Sequence, residues 1–132
     1  MTTDMSGKRA CAGREGAEQE VVFQWAALQT GRWPCLAWLH HIPNGGSRHP
    51  AEAAKLRRQG AKAGLSDICL PWPSGPYHGL YIELKAGSGR ATPAQAAFIA
   101  YLRAAGYRAE VCRGAREAIR VIQGYLEGEQ NG

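Results

Sequence analysis

Apolar positions change their period several times along the chain, and each change marks an element. From about Glu15 to Gln29, Val22, Trp25, Ala26 and their apolar neighbours recur at helical spacing. The segment PCLAWLHHIP, residues 34–43, reads as a short strand closed by the turn signal PNGG. PAEAAKLRRQG predicts a basic helix, with Pro50 tolerated at its start and Gly60 at its end. DICLPW and GLYIELK both follow strand patterns. Thr92-Pro93 opens a helix that runs to about Ala104 and stops at Gly106. YRAEVCR alternates as a strand does, and a last helix covers about Ala115 to Leu126. The order helix, strand, helix, strand, strand, helix, strand, helix predicts a mixed α/β domain.

Within this pattern, DICLPWPSGPYHGLYIELK carries charges where burial is expected. Folded as a hairpin about Gly75, with Pro71, Pro73 and Pro76 as breaks, it sets Ile68 opposite Ile82 and Asp67 opposite Glu83. Alternation sends Glu83 and Lys85 to one face and Leu84 to the other. Two carboxylates about 4 Å apart repel by roughly 4 kcal/mol at an effective dielectric near 20. Such a pair requires a cation or a raised pKa. Lys85 offsets one charge, and a divalent ion with oxygen ligands, Mg²⁺ or Mn²⁺, would offset the rest. The plainer alternative is a cross-strand ion pair on a solvated face.

The length of 132 residues suits one domain, with residues 1–13 and 128–132 expected as flexible tails around a domain at 14–127. A formal net charge of +5 favours an acidic partner such as nucleic acid, though charge alone does not identify one. Arg48, Lys55, Arg57, Arg58 and Lys62 precede Asp67 as a basic stretch, either a solvated helix face or a phosphate-contacting surface. Cys11, Cys35, Cys69 and Cys112 form no Cys-x-x-Cys pair and are expected to pack as small apolar residues in a reducing compartment. No apolar run reaches membrane-spanning length and no hydrophobic signal core opens the chain, so a cytoplasmic protein is expected. His40 and His41 are adjacent and alternate faces, so they make no metal pair. Asn44, Gly45 and Gly46 fit a turn, and Trp72 fits either base stacking or apolar packing.

GLSDICL, YIELKAGSGRATPAQAAFIAYLRAAGYRAEVCRG and REAIRVIQGYL resemble the VRR-NUC (virus-type replication-repair nuclease) family of the PD-(D/E)XK nuclease superfamily. The resemblance runs from Glu15 to Leu126 and includes QWAALQTGRWPCLAWLHHIPNGG. The family's usual proline before the aspartate is Ser66 here, a position that is no ligand. The resemblance implies a restriction-endonuclease-like core, a central mixed β-sheet flanked by helices, of α-β-β-β-α-β type with an extra helix. It also implies a metal-dependent endonuclease acting on branched DNA such as four-way junctions, as a homodimer, and a phage or prophage origin. By this likeness Asp67 and Glu83 ligate the metal with the backbone carbonyl of Leu84, and Lys85 polarises the attacking water and steadies the developing charge.

The family's Glu-x-x-x-Gln in the first helix corresponds to Glu15 and Gln19, one turn apart. Glu18 competes, because it lies closer to the centre of the apolar stripe. Either acid also suits the first turn of a helix. The likeness puts Gln95 beside the metal, whereas Thr92-Pro93-Ala94-Gln95 fits a capping box, and one side chain is not expected to serve both. It also puts the Asn44–Gly46 loop near the active site. Two rivals stay open: a nuclease for flaps, duplex ends or RNA, and a non-catalytic nucleic-acid-binding module, for which the basic stretch suffices.

Overall fold

The computed structural model describes residues 3–43 and 49–128, with side chains from residue 14 onward. In chain order the elements are α1 (Thr3–Leu28), a 3-10 helix (Pro34–Trp38), β1 (His40–His41), α2 (Pro50–Arg58), β2 (Ile68–Leu70), β3 (Leu80–Lys85), α3 (Pro93–Ala104), β4 (Arg108–Arg113) and α4 (Gly114–Leu126). The strands lie in the order β1-β2-β3-β4. The first two pairings are antiparallel and β3 pairs β4 in parallel, so α3 serves as the crossover that a parallel pair requires. This is the mixed α/β arrangement expected of a restriction-endonuclease-like core.

β3 decides the layering. Leu80, Ile82 and Leu84 are buried on one face, packed with Ile68, Leu70 and Cys112 against Val22 and Ala26 of α1 and Ala115, Ala118, Ile122 and Tyr125 of α4. Tyr81 turns to the other face, where Ile99 and Leu102 of α3 cover Ala109, and Phe98 and Tyr107 pack alongside. The Tyr81 ring meets Phe98 edge-on at 5.7 Å and Tyr107 at 5.6 Å. Each buried Leu or Ile contributes about 1.5–3 kcal/mol, so the strand is clamped from both sides. Polar groups at its end are therefore held on a rigid platform.

The hairpin has the expected register: Ile68 pairs with Ile82, and Cys69 with Tyr81. Its tip turns at Gly75, whose φ of 54° suits glycine, beside a Ser74–Tyr77 bridge.

PCLAWLHHIP differs from expectation, because only His40–His41 is strand. Pro34 has its φ preset for a first helical turn, and Leu36 and Leu39 donate to Trp33 and Leu36 carbonyls at 3.0 and 3.2 Å. The three-residue period buries Leu36 and Leu39 together and leaves Trp38 exposed. α1 also begins ahead of the Glu15 boundary suggested by apolar spacing. Among the described side chains, Cys35, Cys69 and Cys112 are free thiols. No described helix is long and apolar enough to cross a membrane.

Candidate active site

Asp67 stands just before β2, and its position is fixed from two sides. Its carbonyl accepts from the Ile42 amide at 2.7 Å and pairs with His41 Nδ1 at 2.8 Å. Its Oδ2 accepts from the Leu84 amide at 2.7 Å, which ties the carboxylate to the strand bearing Glu83. Extending the Ile68–Ile82 register by one residue brings Asp67 opposite Glu83.

Glu83 is only 2% exposed, an unusual position for a carboxylate. Its Oε2 accepts from Gln95 Nε2 at 3.2 Å and lies 3.5 Å from Lys85 Nζ. The second oxygen, Oε1, is buried without a hydrogen-bond partner. Burial pushes the Glu83 carboxyl up to about 8, helped by the negative charge of the adjacent Asp67, while Lys85 pulls in the opposite sense. Burial and the neighbouring charge thus favour the protonated form of Glu83 until a cation is supplied.

Gln95 corrects the expectation that it must choose between two roles. Its Oε1 accepts from the Thr92 amide at 2.8 Å, completing a capping box with Thr92 Oγ1, while its Nε2 reaches Glu83. The opposite amide orientation would set oxygen against carboxylate and N–H against N–H, so the network selects the observed one. The cap at the start of α3 thereby aims a donor into the site.

The two α1 acids separate clearly. Glu18 Oε2 accepts from the Ala115 amide at 2.5 Å, capping the start of α4. Glu15 is half-buried, and the neighbouring Arg14 approaches the Gly87 turn beyond Lys85. Among the described residues no group of three His, Cys, Asp or Glu side chains is placed to hold a metal, and the two acids that the sheet brings together are Asp67 and Glu83.

Arg113 escaped the sequence reading. It pairs with Lys85 in the parallel register and donates from Nη1 to the carbonyls of Gly87 at 3.0 Å and Gly89 at 2.6 Å. A Cβ on Gly89 would lie 3.8 Å from Lys85 Cδ, so the turn rests close to the lysine stem. A charged residue aligned with Glu-x-Lys, followed by Gly114, was the only available clue.

The remaining expected positions lie outside this cluster. Lys55, Arg57, Arg58 and Lys62 are exposed, the first three on α2, which buries no residue. Arg48 and the Asn44–Gly46 turn lie outside the described residues. His40 and His41 are exposed, and Trp72 is 49% exposed on the hairpin loop.

The donor set suits a hard divalent cation: two adjacent carboxylates, one with an orphaned buried oxygen, beside a lysine. The VRR-NUC domain family model matches residues 13–116. A solved structure described as a VRR_NUC domain protein is 39% identical, with a TM-score of 0.75 over 86% of this chain and 88% of the other. No curated protein matches. Fold, acidic pair and family match agree, and the chain belongs to the VRR-NUC family, whose domain is a nuclease of the PD-(D/E)XK type.

Proposed function

We propose that the protein is an endodeoxyribonuclease that requires Mg²⁺ or Mn²⁺ and selects branched DNA, four-way junctions above all, acting as a homodimer. The observation that carries the metal requirement is Glu83 Oε1, a buried carboxylate oxygen with no partner beside a second acid. Asp67 and Glu83 would hold the ion, with the Leu84 carbonyl and, from α1, Glu15 completing the set. When bound, such an ion lowers the pKa of water and neutralises charge on phosphate oxygens.

The chain's own residues supply the rest. Lys85, 11% exposed and anchored to Glu83, presents fixed positive charge where the pentavalent phosphorus gathers negative charge. That interaction is stronger in the transition state than in the ground state, so it accelerates the reaction. Lys85 also orients the attacking water. Gln95 holds Glu83 in place and leaves Oε1 available. Lys55, Arg57, Arg58 and Lys62, with Arg48, would contact backbone phosphates. Two sites related by a two-fold axis suit cleavage of two symmetric strands, which is the physical case for a dimer on junctions.

Labelled four-way junction, flap, linear duplex and RNA, incubated with protein and either metal, test this reading. The proposal expects junction cleavage that persists in excess duplex competitor and is lost in Glu83→Ala, while junction binding remains. Equal cleavage of all substrates would overturn the branched-DNA selectivity. Normal cleavage by Glu83→Ala would overturn the site itself.

A further inference from the structure

A second feature lies at the opposite end of β4. Arg108 is only 7% exposed, and its Nη1 is buried without a hydrogen-bond partner. Among the described residues no carboxylate stands within ion-pair distance of it. A guanidinium buried without counter-charge is strongly unfavourable, so the fold retains an uncompensated cation here. Arg108 lines a cavity of about 350 Å³ with Tyr77, Arg103, Tyr107, Ala109 and Glu110. Glu110 is directed to Arg103 at 3.5 Å, and Arg103 also donates to the Ala109 carbonyl at 3.0 and 2.8 Å. Two guanidinium groups against one carboxylate leave the cavity one positive charge in excess.

We infer that this cavity binds the phosphate of a nucleotide, with Arg108 receiving its counter-charge from the ligand. A single phosphate leaves most of the volume unfilled, with room for the sugar and base that a nucleotide carries. The site is separate from the acidic pair. Arg108 pairs with Leu80 and Arg113 with Lys85, so five residues, about 17 Å of strand, separate the two ends. The inference therefore stands whether or not the acidic pair cleaves DNA. The phosphate has two possible sources, a free nucleotide or the 5′-phosphorylated end of a DNA strand.

The test uses the full chain in EDTA, with amide chemical-shift mapping and calorimetry. The probes are thymidine 5′-monophosphate, thymidine, inorganic phosphate and a short 5′-phosphorylated oligonucleotide. The monophosphate should shift the amides of Arg108–Glu110 and Tyr77, and thymidine and inorganic phosphate should each bind at least tenfold more weakly. Arg108→Met should lose at least tenfold in affinity, Arg108→Lys should fall between, and Glu83→Ala should bind as wild type. Tighter binding of the oligonucleotide than of the monophosphate identifies a DNA end as the ligand, and the reverse order identifies a free nucleotide. Shifts confined to Glu83–Lys85, equal affinity for thymidine or inorganic phosphate, no binding at all, or undiminished binding by Arg108→Met would each overturn the inference. Should Arg108→Met not fold, Arg108→Lys and the comparison of monophosphate with thymidine still decide it.

Discussion

Replacing Glu83 by Gln keeps the shape of the side chain and removes its ability to ionise. In the wild type, burial and the Asp67 carboxyl raise the Glu83 pKa from 4.5 to about 8. At about 1.4 kcal/mol per pH unit, that corresponds to roughly 5 kcal/mol. The folded pKa is above the unfolded one, so the folded state binds the proton more tightly. The resulting stability is fully present below about 4.5 and is lost as pH rises through about 8. Urea unfolding in EDTA, from pH 5 to 9, should show the wild type losing several kcal/mol relative to Glu83→Gln. The difference between them should change by up to about 1.4 kcal/mol per pH unit across the middle of this window. Adding Mn²⁺ at pH 8 should stabilise the wild type and leave Glu83→Gln little changed. Parallel stability curves for the two proteins in EDTA would refute the claim that Glu83 is a desolvated acid pressed against Asp67.

Other consequences are open to measurement. Gly64 has φ +85°, and a Cβ there would lie 2.7 Å from Ala94 Cβ and 2.8 Å from the Ala94 backbone carbon. Gly64→Ala should therefore cost about 2–4 kcal/mol in urea unfolding, from backbone strain and overpacking together. Arg113→Ala removes the two bonds that hold the Gly87–Gly89 turn near Lys85, and single-turnover cleavage should fall about tenfold. DNA affinity should change little, and Arg113→Lys should recover part of the rate. Replacing Lys55, Arg57 and Arg58 by Ala should flatten the slope of log Kd against log salt by about 2–3, since each phosphate contact contributes about 0.9. An unchanged slope would return α2 to the status of a solvated helix face.

Local signals made much of this fold legible. Pro71, Gly75 and Pro76 centre the hairpin, and folding about Gly75 gives the observed register of Ile68 with Ile82 and so Asp67 opposite Glu83. A slip by two residues would also bury Ile68 against a leucine. Thr92-Pro93 starts α3 because its hydroxyl, its missing amide hydrogen and Gln95 all serve one cap. The misses are of two kinds. The 3-10 helix at Pro34–Trp38 reads as a strand because Leu36 and Leu39 are buried at a period of three, too short a run to separate from alternation. Glu18 and Arg113 depend on tertiary contacts: the Glu18–Ala115 bond joins residues 97 apart in sequence, and Arg113 acts on backbone carbonyls across the sheet. No local pattern encodes such pairings. Gln95 is instructive because an amide has two chemically different ends, and counting it as one contact concealed its second role.

The most direct test of the acidic centre is anomalous diffraction from crystals soaked in Mn²⁺. A peak within ligand distance of both Asp67 and Glu83, absent from Glu83→Ala crystals, is the expected result. A well-ordered wild-type crystal with no peak there, or a peak that persists in Glu83→Ala, would contradict the claim that these two carboxylates together hold the divalent ion.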